Sequence, residues 1–291
     1  MSIVERRPRV LTAPLRWGRK RWTNLLLSAL VLLLTLGYLL PIFLMLVMSV
    51  KSQAEYVQNP LALPQRPTLE NFSAVIAQMQ YLRAIANTIG ITLASTVLIV
   101  IIAPLAAYPL ARTRARWTNL IYQGFIAGLT IPLFVVMLPL YSVMKTLGLL
   151  NTYQGVVLLY TALNLPLAIF FYTGFIRSVP VELEEAAAID GCSPLLGFWY
   201  IVLPLLRPIT ATLAMFVTLS VWNDFLLPLV FLFKPEARTI MVSVYSFVGE
   251  YGFQPTTLFP AAVLASLPLL IFFFVLQKQI IAGVSAGAVK G

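Results

Sequence analysis

The sequence predicts an all-α integral membrane protein with six transmembrane helices. Of its 291 residues, 60% are hydrophobic and only 10% are charged, whereas a soluble domain carries about 25% charged residues. Apolar runs recur at about 20 residues, the length that an α-helix needs to cross the hydrocarbon core. These runs are continuous and do not alternate over segments of about 10 residues, so a transmembrane β-barrel is not favoured.

Six apolar segments are long enough to serve as spans. They cover residues 23–50, 85–111, 119–145, 155–176, 209–231 and 257–281. Several of them contain prolines, namely Pro41, Pro104, Pro132, Pro139, Pro166, Pro228 and Pro268. We expect these prolines to kink the helices without ending them, because neighbouring helices in a membrane can satisfy the freed carbonyl groups.

The distribution of Lys and Arg predicts that both termini are cytoplasmic. With the N-terminus inside, the inner segments hold 14 of the 20 basic residues, as the positive-inside rule requires. The apolar run after Arg21 is longer than the signal-peptide core of about 7–15 residues, so we expect it to be retained as a span. The predicted domains are a basic cytoplasmic segment (1–22), a six-span membrane domain (23–282, with its core at 85–282) and a cytoplasmic tail (283–291).

Composition also limits the chemistry that this chain can perform. It has one cysteine, Cys192, and no histidine, so we expect no metal site, no disulfide and no catalytic residues. It also lacks a G-x-x-x-x-G-K-[ST] run, the loop whose backbone amides hold phosphates, so we expect it to bind no nucleotide cofactor. The net charge of +10 is explained by basic loops at a membrane surface, and no nucleic-acid partner is predicted.

The most informative segment is residues 178–208, between the fourth and fifth predicted spans, which we call the acidic loop. Glu182, Glu184 and Glu185 fall in the first turn of a predicted helix, where the positive end of the helix dipole favours anions. Three alanines, which are strong helix formers, continue this helix, and their small side chains leave one helix face without bulky groups. Gly191 is expected to end it, since glycine readily adopts the left-handed conformation of a helix C-terminus.

A second helix is predicted in the other half of the acidic loop. Ser193 and Pro194 have the residue types of an N-cap and a first helical position, and Pro204 is expected to break the helix. The acidic loop should therefore form a helix, a sharp glycine turn and a second helix, directly between two spans. Either it is an ordinary packed loop, or another protein docks on it.

Two further segments are predicted to lie on the outer surface. Residues 51–84 are polar and contain several prolines, and residues 232–256 contain Tyr245, Phe247, Tyr251 and Phe253. These aromatic side chains have two readings. They form an interfacial belt, as aromatic residues of membrane proteins commonly do, or they form a docking surface for an external partner.

The spacing in the acidic loop resembles the signature loop of ABC importer permeases. The matching residues are Glu185-Ala186-Ala187, Asp190-Gly191, Phe198, Ile201, Leu203-Pro204 and Pro208. Weaker likenesses occur at residues 106–112, at 222–225 and in the tail at 283–291. The chain from Asn87 to Gly291 is similar to the shorter permease subunit of the maltose transporter family, a carbohydrate importer.

This resemblance implies a type I ABC importer permease fold in the bacterial inner membrane. It also implies that the acidic loop is the coupling loop that docks on a cytoplasmic ATPase, and that the tail near Lys290 contacts the ATPase dimer. The implied coupling residues are Glu185, Ala186, Ala187, Asp190, Gly191, Leu203 and Pro204. From the residues alone, Glu185 and Asp190 could instead serve only to cap or order the loop.

The resemblance further implies a set of partners around a transport subunit that is not itself an enzyme. These are a second permease subunit in a heterodimer, two ATPase subunits that bind ATP and Mg²⁺, an external solute-binding protein, and membrane lipid. Candidates for the substrate path are the polar residues within spans, Asn87, Asn164, Asn223 and Asp224. An acid inside a membrane is a functional candidate by default, although Asp224 could equally pair with a neighbouring helix.

Three alternatives remain open at this stage. A stand-alone secondary transporter would leave the acidic loop unexplained. A membrane-embedded enzyme would need a nucleophile and base or a metal cluster, which the composition does not offer. An ABC permease for another solute, such as an amino acid, a peptide or phosphate, is separated from a carbohydrate permease only by the resemblance.

Overall fold

The computed structural model describes residues 17–249 and 252–288, and helices are the regular secondary structure found within those ranges. The helices are α1 (Trp17–Ser49), α2 (Gln53–Gln58), α3 (Glu70–Gln78), α4 (Tyr81–Arg112), α5 (Arg116–Gly128), α6 (Leu133–Thr146), α7 (Tyr153–Ser178), α8 (Glu182–Ile189), α9 (Pro194–Gly197), α10 (Leu203–Leu205), α11 (Arg207–Asn223), α12 (Leu226–Phe231), α13 (Ile240–Gly249) and α14 (Pro255–Ala288). A π-helical stretch, Phe198–Val202, joins α9 to α10, and a 3-10 turn lies at Pro235–Ala237. The prediction of an all-α fold is confirmed for the described residues.

The number of helices able to span a membrane agrees in part with the six that were predicted. Four of the described helices are long and apolar enough to cross a membrane, and the number rises to six if two bent helix pairs each count as one span. The four are α1, α4, α7 and α14. Pro41, Pro104, Pro166 and Pro268 lie inside them without ending them, as expected from the sequence.

The main core forms where α4, α7 and α11 pack against one another. Small and branched side chains such as Ile99, Ala103 and Ile169 are fully buried there. Small residues allow the helix backbones to approach closely, which is how helices associate in membranes. In contrast, α1 contacts α14, and most of its apolar side chains are exposed.

The prediction of one continuous third span was wrong. The chain forms α5 and α6 with a bend of 105° between them, and residues 129–132 lie outside both helices. Pro132 has an extended conformation (φ −63°, ψ 134°) and precedes the first residue of α6. α5 has already ended at Gly128, and Pro132 stands just before the first residue of α6, where its missing N–H removes no helical hydrogen bond.

The fifth span is also interrupted. Its predicted range, 209–231, contains α11 from its third residue onward and all of α12, and Asp224 between them is extended (φ −77°, ψ 130°). The break predicted at Pro204 in the second helix of the acidic loop occurs two residues later, at Leu206. The helical run Pro194–Leu205 continues through Pro204 and ends at the next residue, and the chain then bends by 70° into α11.

The two predicted outer segments contain more ordered structure than their composition suggests. In the first, the Lys51 side chain is only 1% exposed, and its ammonium donates to the carbonyl oxygens of Asn59 and Pro60 at the end of α2. In the second, α13 packs on α14, and Phe247 is fully buried. Phe247 therefore fits neither the aromatic belt nor a free docking surface, because it is part of a core.

Some predicted residues cannot be placed. Lys290, the last residues of the tail, the basic residues before Trp17, and Tyr251 lie outside the described part of the chain.

Candidate functional site

The first half of the acidic loop forms a short helix with a defined end. Glu182, Glu184 and Glu185 occupy the first turn of α8, as predicted. At the other end, the amide of Gly191 donates to the carbonyl of Ala188 (3.1 Å), and the amide of Cys192 donates to that of Ala187 (2.9 Å). This pair of bonds is a Schellman motif, which needs a left-handed residue after the C-cap. Gly191 supplies it with φ of 86°.

The second half of the acidic loop begins with a capped turn. The Ser193 hydroxyl accepts from the amide of Leu196, and Pro194 takes the first helical position, as predicted. Beyond this turn, Phe198 is buried, and its ring lies 5.1 Å from the ring of Tyr108 in α4. The second half of the loop is therefore packed against the end of α4.

The first half is tied to the same end of α4 by an ion pair. The Arg112 guanidinium meets the Glu184 carboxylate at 2.6 Å and 2.7 Å, and the Tyr108 hydroxyl donates to its other oxygen at 2.6 Å. Arg112 also donates to the carbonyl of Val179, just after α7. Three separate segments thus meet at one guanidinium group.

The residues predicted to contact an ATPase lie mainly on the surface of the acidic loop. Glu185, Ala186, Asp190, Gly191 and Pro204 are exposed, whereas Ala187 and Leu203 are half-buried. Exposed apolar side chains accompany them, and Ile189 is 87% exposed. The structure thus brings the predicted residues of α8 together on one exposed helix.

Sequence reasoning missed Glu184, Arg112 and Tyr108 as a group. Glu184 was noted only as one of three acids in a first turn, and the other two only as part of the stretch at residues 106–112. A local signal existed in the form of an acid and a base near predicted helix ends. Their pairing across 72 residues, however, depends on how α4 and α8 pack.

A second candidate region is a cavity of about 720 Å³ beside two of the helix breaks, the one between α5 and α6 and the one between α11 and α12. Asn164, Asn223 and Asp224, three of the four predicted path residues, line it together with Tyr160 and Leu129. Leu129 belongs to the break between α5 and α6, and Asp224 belongs to the break between α11 and α12. Discontinuous membrane helices commonly mark binding sites.

The polar groups of this cavity are mostly engaged in local bonds. The Asp224 carboxylate accepts from the amides of Leu226 and Leu227 and from the Tyr160 hydroxyl (2.8 Å). Asn164 and Asn223 each donate to the carbonyl four residues earlier in their own helix. Asp224 therefore caps α12 and also pairs with a neighbouring helix, the alternative left open by the sequence.

Asn87, the fourth predicted path residue, lies elsewhere. Its amide donates to the carbonyls of Glu236 and Arg238, and its side-chain oxygen accepts from the Tyr153 hydroxyl at 2.9 Å. It borders a separate, largely apolar cavity of about 530 Å³ between α4 and α7. Asn87 thus fastens α4 and α7 to the segment that follows α12.

No group of three or more His, Cys, Asp or Glu side chains placed to hold a metal ion occurs in residues 17–249 and 252–288. Of the carboxylates described above, that of Glu184 lies in the ion pair and that of Asp224 accepts two amides at the start of α12.

Comparison with known proteins places these features in a family. Residues 99–286 match the model of the family described as binding-protein-dependent transport system inner membrane component. The matched range includes the C-terminal end of α4, the acidic loop, and the breaks at residues 129–132 and at Asp224.

Individual relatives cover nearly the whole chain. It is 35% identical over 265 residues to the probable starch degradation products transport system permease protein AmyC of Thermoanaerobacterium thermosulfurigenes, covering 91% of this chain and 96% of that one. It is 36% identical over 267 residues to the melibiose/raffinose/stachyose import permease protein MelC of Bacillus subtilis, with the same coverage. A chain from the crystal structure of a bacterial ABC transporter involved in the import of the acidic polysaccharide alginate has the same fold, with a TM-score of 0.78, 23% identity and coverage of 91% and 99%.

Proposed function

The chain belongs to the family of binding-protein-dependent transport system inner membrane components, and on this premise we propose that it is a permease subunit of an ATP-driven carbohydrate importer. Sugar transport is named for both relatives above, and the fold is that of an alginate importer chain. The family is one of transport subunits, which disfavours the membrane-embedded enzyme considered above.

The observation that carries the proposal is the exposed surface of α8. Glu185 and Asp190 are exposed at its two ends, with Ala186 and the apolar Ile189 between them. Because alanine side chains are small, the face of α8 that carries them can enter a groove on a partner. The Ile189 side chain can be buried in that groove, and the carboxylates of Glu185 and Asp190 can pair with basic groups at the edge of the groove. Such a surface suits an ATPase subunit that pushes and pulls on the loop.

The complete importer would contain four further proteins. These are a second permease that forms a heterodimer with this chain, two ATPase subunits that bind ATP and Mg²⁺, and an external solute-binding protein. In this arrangement, six spans cross the bacterial inner membrane, both termini are cytoplasmic, and the tail near Lys290 reaches the ATPases. The segments at residues 51–84 and 232–256 then face the binding protein.

We also propose that the cavity at the two helix breaks forms this subunit's part of the translocation path. Its lining combines apolar side chains with the amides of Asn164 and Asn223 and the ring of Tyr160. Amides can bond to sugar hydroxyl groups, and apolar or aromatic surfaces suit the C–H faces of sugars. Because α12 and the Tyr160 hydroxyl already engage the Asp224 carboxylate, we expect Asp224 to shape the path and not to select a charged cargo.

Co-purification from the native membrane tests the proposed function. A tagged chain should retain a second permease and a pair of ATPases, and a carbohydrate-loaded binding protein should stimulate ATP hydrolysis by the complex. A stable homodimer that transports solute without an ATPase would refute the proposal and favour a stand-alone transporter. Stimulation by an amino-acid-loaded or peptide-loaded binding protein would refute the carbohydrate cargo only.

A charge reversal tests the docking surface itself. Glu185→Lys should release the ATPases while leaving membrane insertion intact, because it places a cation at the proposed contact. Glu182→Lys is the matched control, since Glu182 lies in the same turn, is also exposed and loses the same interaction with the helix dipole. Equal loss of ATPase binding in both variants would show that the dipole or the fold of α8, and not a contact at Glu185, is responsible.

A further inference from the structure

Two neighbouring glutamates of α8 have opposite environments. Glu185 is exposed, whereas the side chain of Glu184 is only 14% exposed and that of its partner Arg112 only 15%. One carboxylate oxygen of Glu184 receives two guanidinium nitrogens, and the other receives the Tyr108 hydroxyl. Glu184 is therefore engaged inside the subunit and is not presented to a partner.

The ion pair links α8 directly to α4, in addition to the contacts that α8 makes with α9 and with the π-helical stretch. The chain between α7 and α8 consists of three residues, 179–181, and the other end of α8 is followed by the Gly191 turn. Arg112 bridges the first junction, since it also donates to the carbonyl of Val179 at 3.0 Å. Without such a bridge, α8 would be held near α4 mainly through its packing on α9 and on the π-helical stretch.

Shielding from solvent makes this link stiffer than a surface ion pair. Exposed pairs contribute little because water and salt screen them, but hydrogen bonds between charged groups in a shielded site are short and strong. The packing of Phe198 on Tyr108 adds a second contact to the same turn of α4. The end of α4 is thus held to both halves of the acidic loop.

We propose that Arg112 and Glu184 form a latch that makes α8 and the inner end of α4 move as one body, so that Glu184 is a positioning residue while Glu185 is left for the ATPase contact. The latch itself does not depend on the proposed function. Only its consequence, the coupling of ATP hydrolysis to transport, rests on that function. A force applied to α8 passes through the latch into α4, which lies at the centre of the helix core. With the latch broken, α8 would follow the ATPase and α4 would not.

The single cysteine of the chain provides a probe for the latch that needs no partner. Cys192 follows Gly191, is half-buried, and borders a cavity of about 230 Å³ that Tyr108 and Glu184 also line. Opening of the latch would loosen α8 from α4 and expose this cavity. The rate at which a maleimide labels Cys192 in membrane vesicles that contain this chain alone should therefore report the closed fraction of the latch.

In the first experiment, Glu184→Gln is compared with Glu185→Gln. Glu184→Gln should speed labelling of Cys192 by about tenfold, a factor typical of losing a charged hydrogen-bonded partner, and Glu185→Gln should leave the rate unchanged. Tyr108→Phe should act in the same direction with a smaller factor, because it removes one bond and keeps the ring. The exchange of Arg112→Glu with Glu184→Arg should bring the rate back toward the wild-type value. Equal labelling rates in the two glutamine variants would overturn the latch.

The second experiment measures the consequence in the assembled complex, as the amount of ATP hydrolysed per solute transported. Glu184→Gln should keep the ATPases bound and raise this ratio by about tenfold, whereas Glu185→Lys should release the ATPases. An unchanged ratio in Glu184→Gln would overturn the positioning role. If the wild-type chain retains no ATPase, the proposed function fails, but the labelling experiment still decides whether the latch exists.

Discussion

Substitution of Gly191 by alanine should destabilise the turn of the acidic loop through backbone conformation alone. Gly191 has φ of 86°, in the left-handed region, where a residue with a Cβ atom is disfavoured by about 1–2 kcal/mol. A Cβ built on Gly191 would meet no other atom within 4 Å. The expected cost is therefore the conformational cost and contains no contribution from a clash with a neighbouring side chain.

Gly197 supplies the matched control in the same loop. A Cβ built there also meets nothing within 4 Å, but Gly197 is helical, with φ of −56° and ψ of −42°. Alanine is the better helix former by about 0.8–1.0 kcal/mol. Gly197→Ala should therefore leave the loop unchanged or slightly more stable, although the side-chain change is the same.

Hydrogen exchange of the backbone amides in residues 182–193 measures the difference. A cost of about 1–2 kcal/mol raises the open population of the turn by roughly 5–30-fold, so Gly191→Ala should speed exchange by that factor while Gly197→Ala does not. Gly191→Asn should fall between glycine and alanine, because asparagine tolerates the left-handed region better than other residues with a Cβ atom. If alanine at both positions gives the same exchange rate, the Schellman turn is not what holds α8.

Three other predictions follow from the remaining contacts. Asp224→Ala should lower the stability of the purified protein by about 0.5–2 kcal/mol, because it removes a helix cap; an unchanged midpoint of thermal unfolding would show that α12 does not need it. Asn87→Ala should speed protease cleavage within residues 232–239, since two carbonyls lose their donor, whereas Asn223→Ala should not, because its amide bonds only within its own helix. The purified chain alone should hydrolyse no ATP above the rate of a buffer control, and measurable turnover would contradict the assignment of hydrolysis to partner subunits.

The sequence was a reliable guide wherever structure is set by near neighbours. The cap at Ser193, the first turn of acids in α8 and the stop at Gly191 all appear as predicted. Each depends on residues within one helical turn, so the chain carries the information locally. The long apolar segments were equally clear, since length and composition are enough to identify a helix that can span a membrane.

The effect of a proline was decided by tertiary structure. Pro166 lies inside the continuous helix α7, whereas Pro132 separates α5 from α6. Both lack an N–H, so the residue type cannot explain the difference. In α7 the chain packs closely on α4, and tertiary contacts of this kind hold a membrane helix together across a proline. The sequence contains no comparable sign of which helices will be held by neighbours.

What the sequence determined by itself is the class of protein and the form of the acidic loop, down to the glycine that turns it. What only the tertiary structure decided is which polar groups meet: Arg112 with Glu184 across 72 residues, Asp224 with Tyr160 across 64, and Asn87 with a carbonyl 149 residues away. The physical reason is one of range. Caps, turns and hydropathy act between residues close in the chain, but ion pairs and hydrogen bonds between helices exist only after packing has brought distant segments within 3 Å.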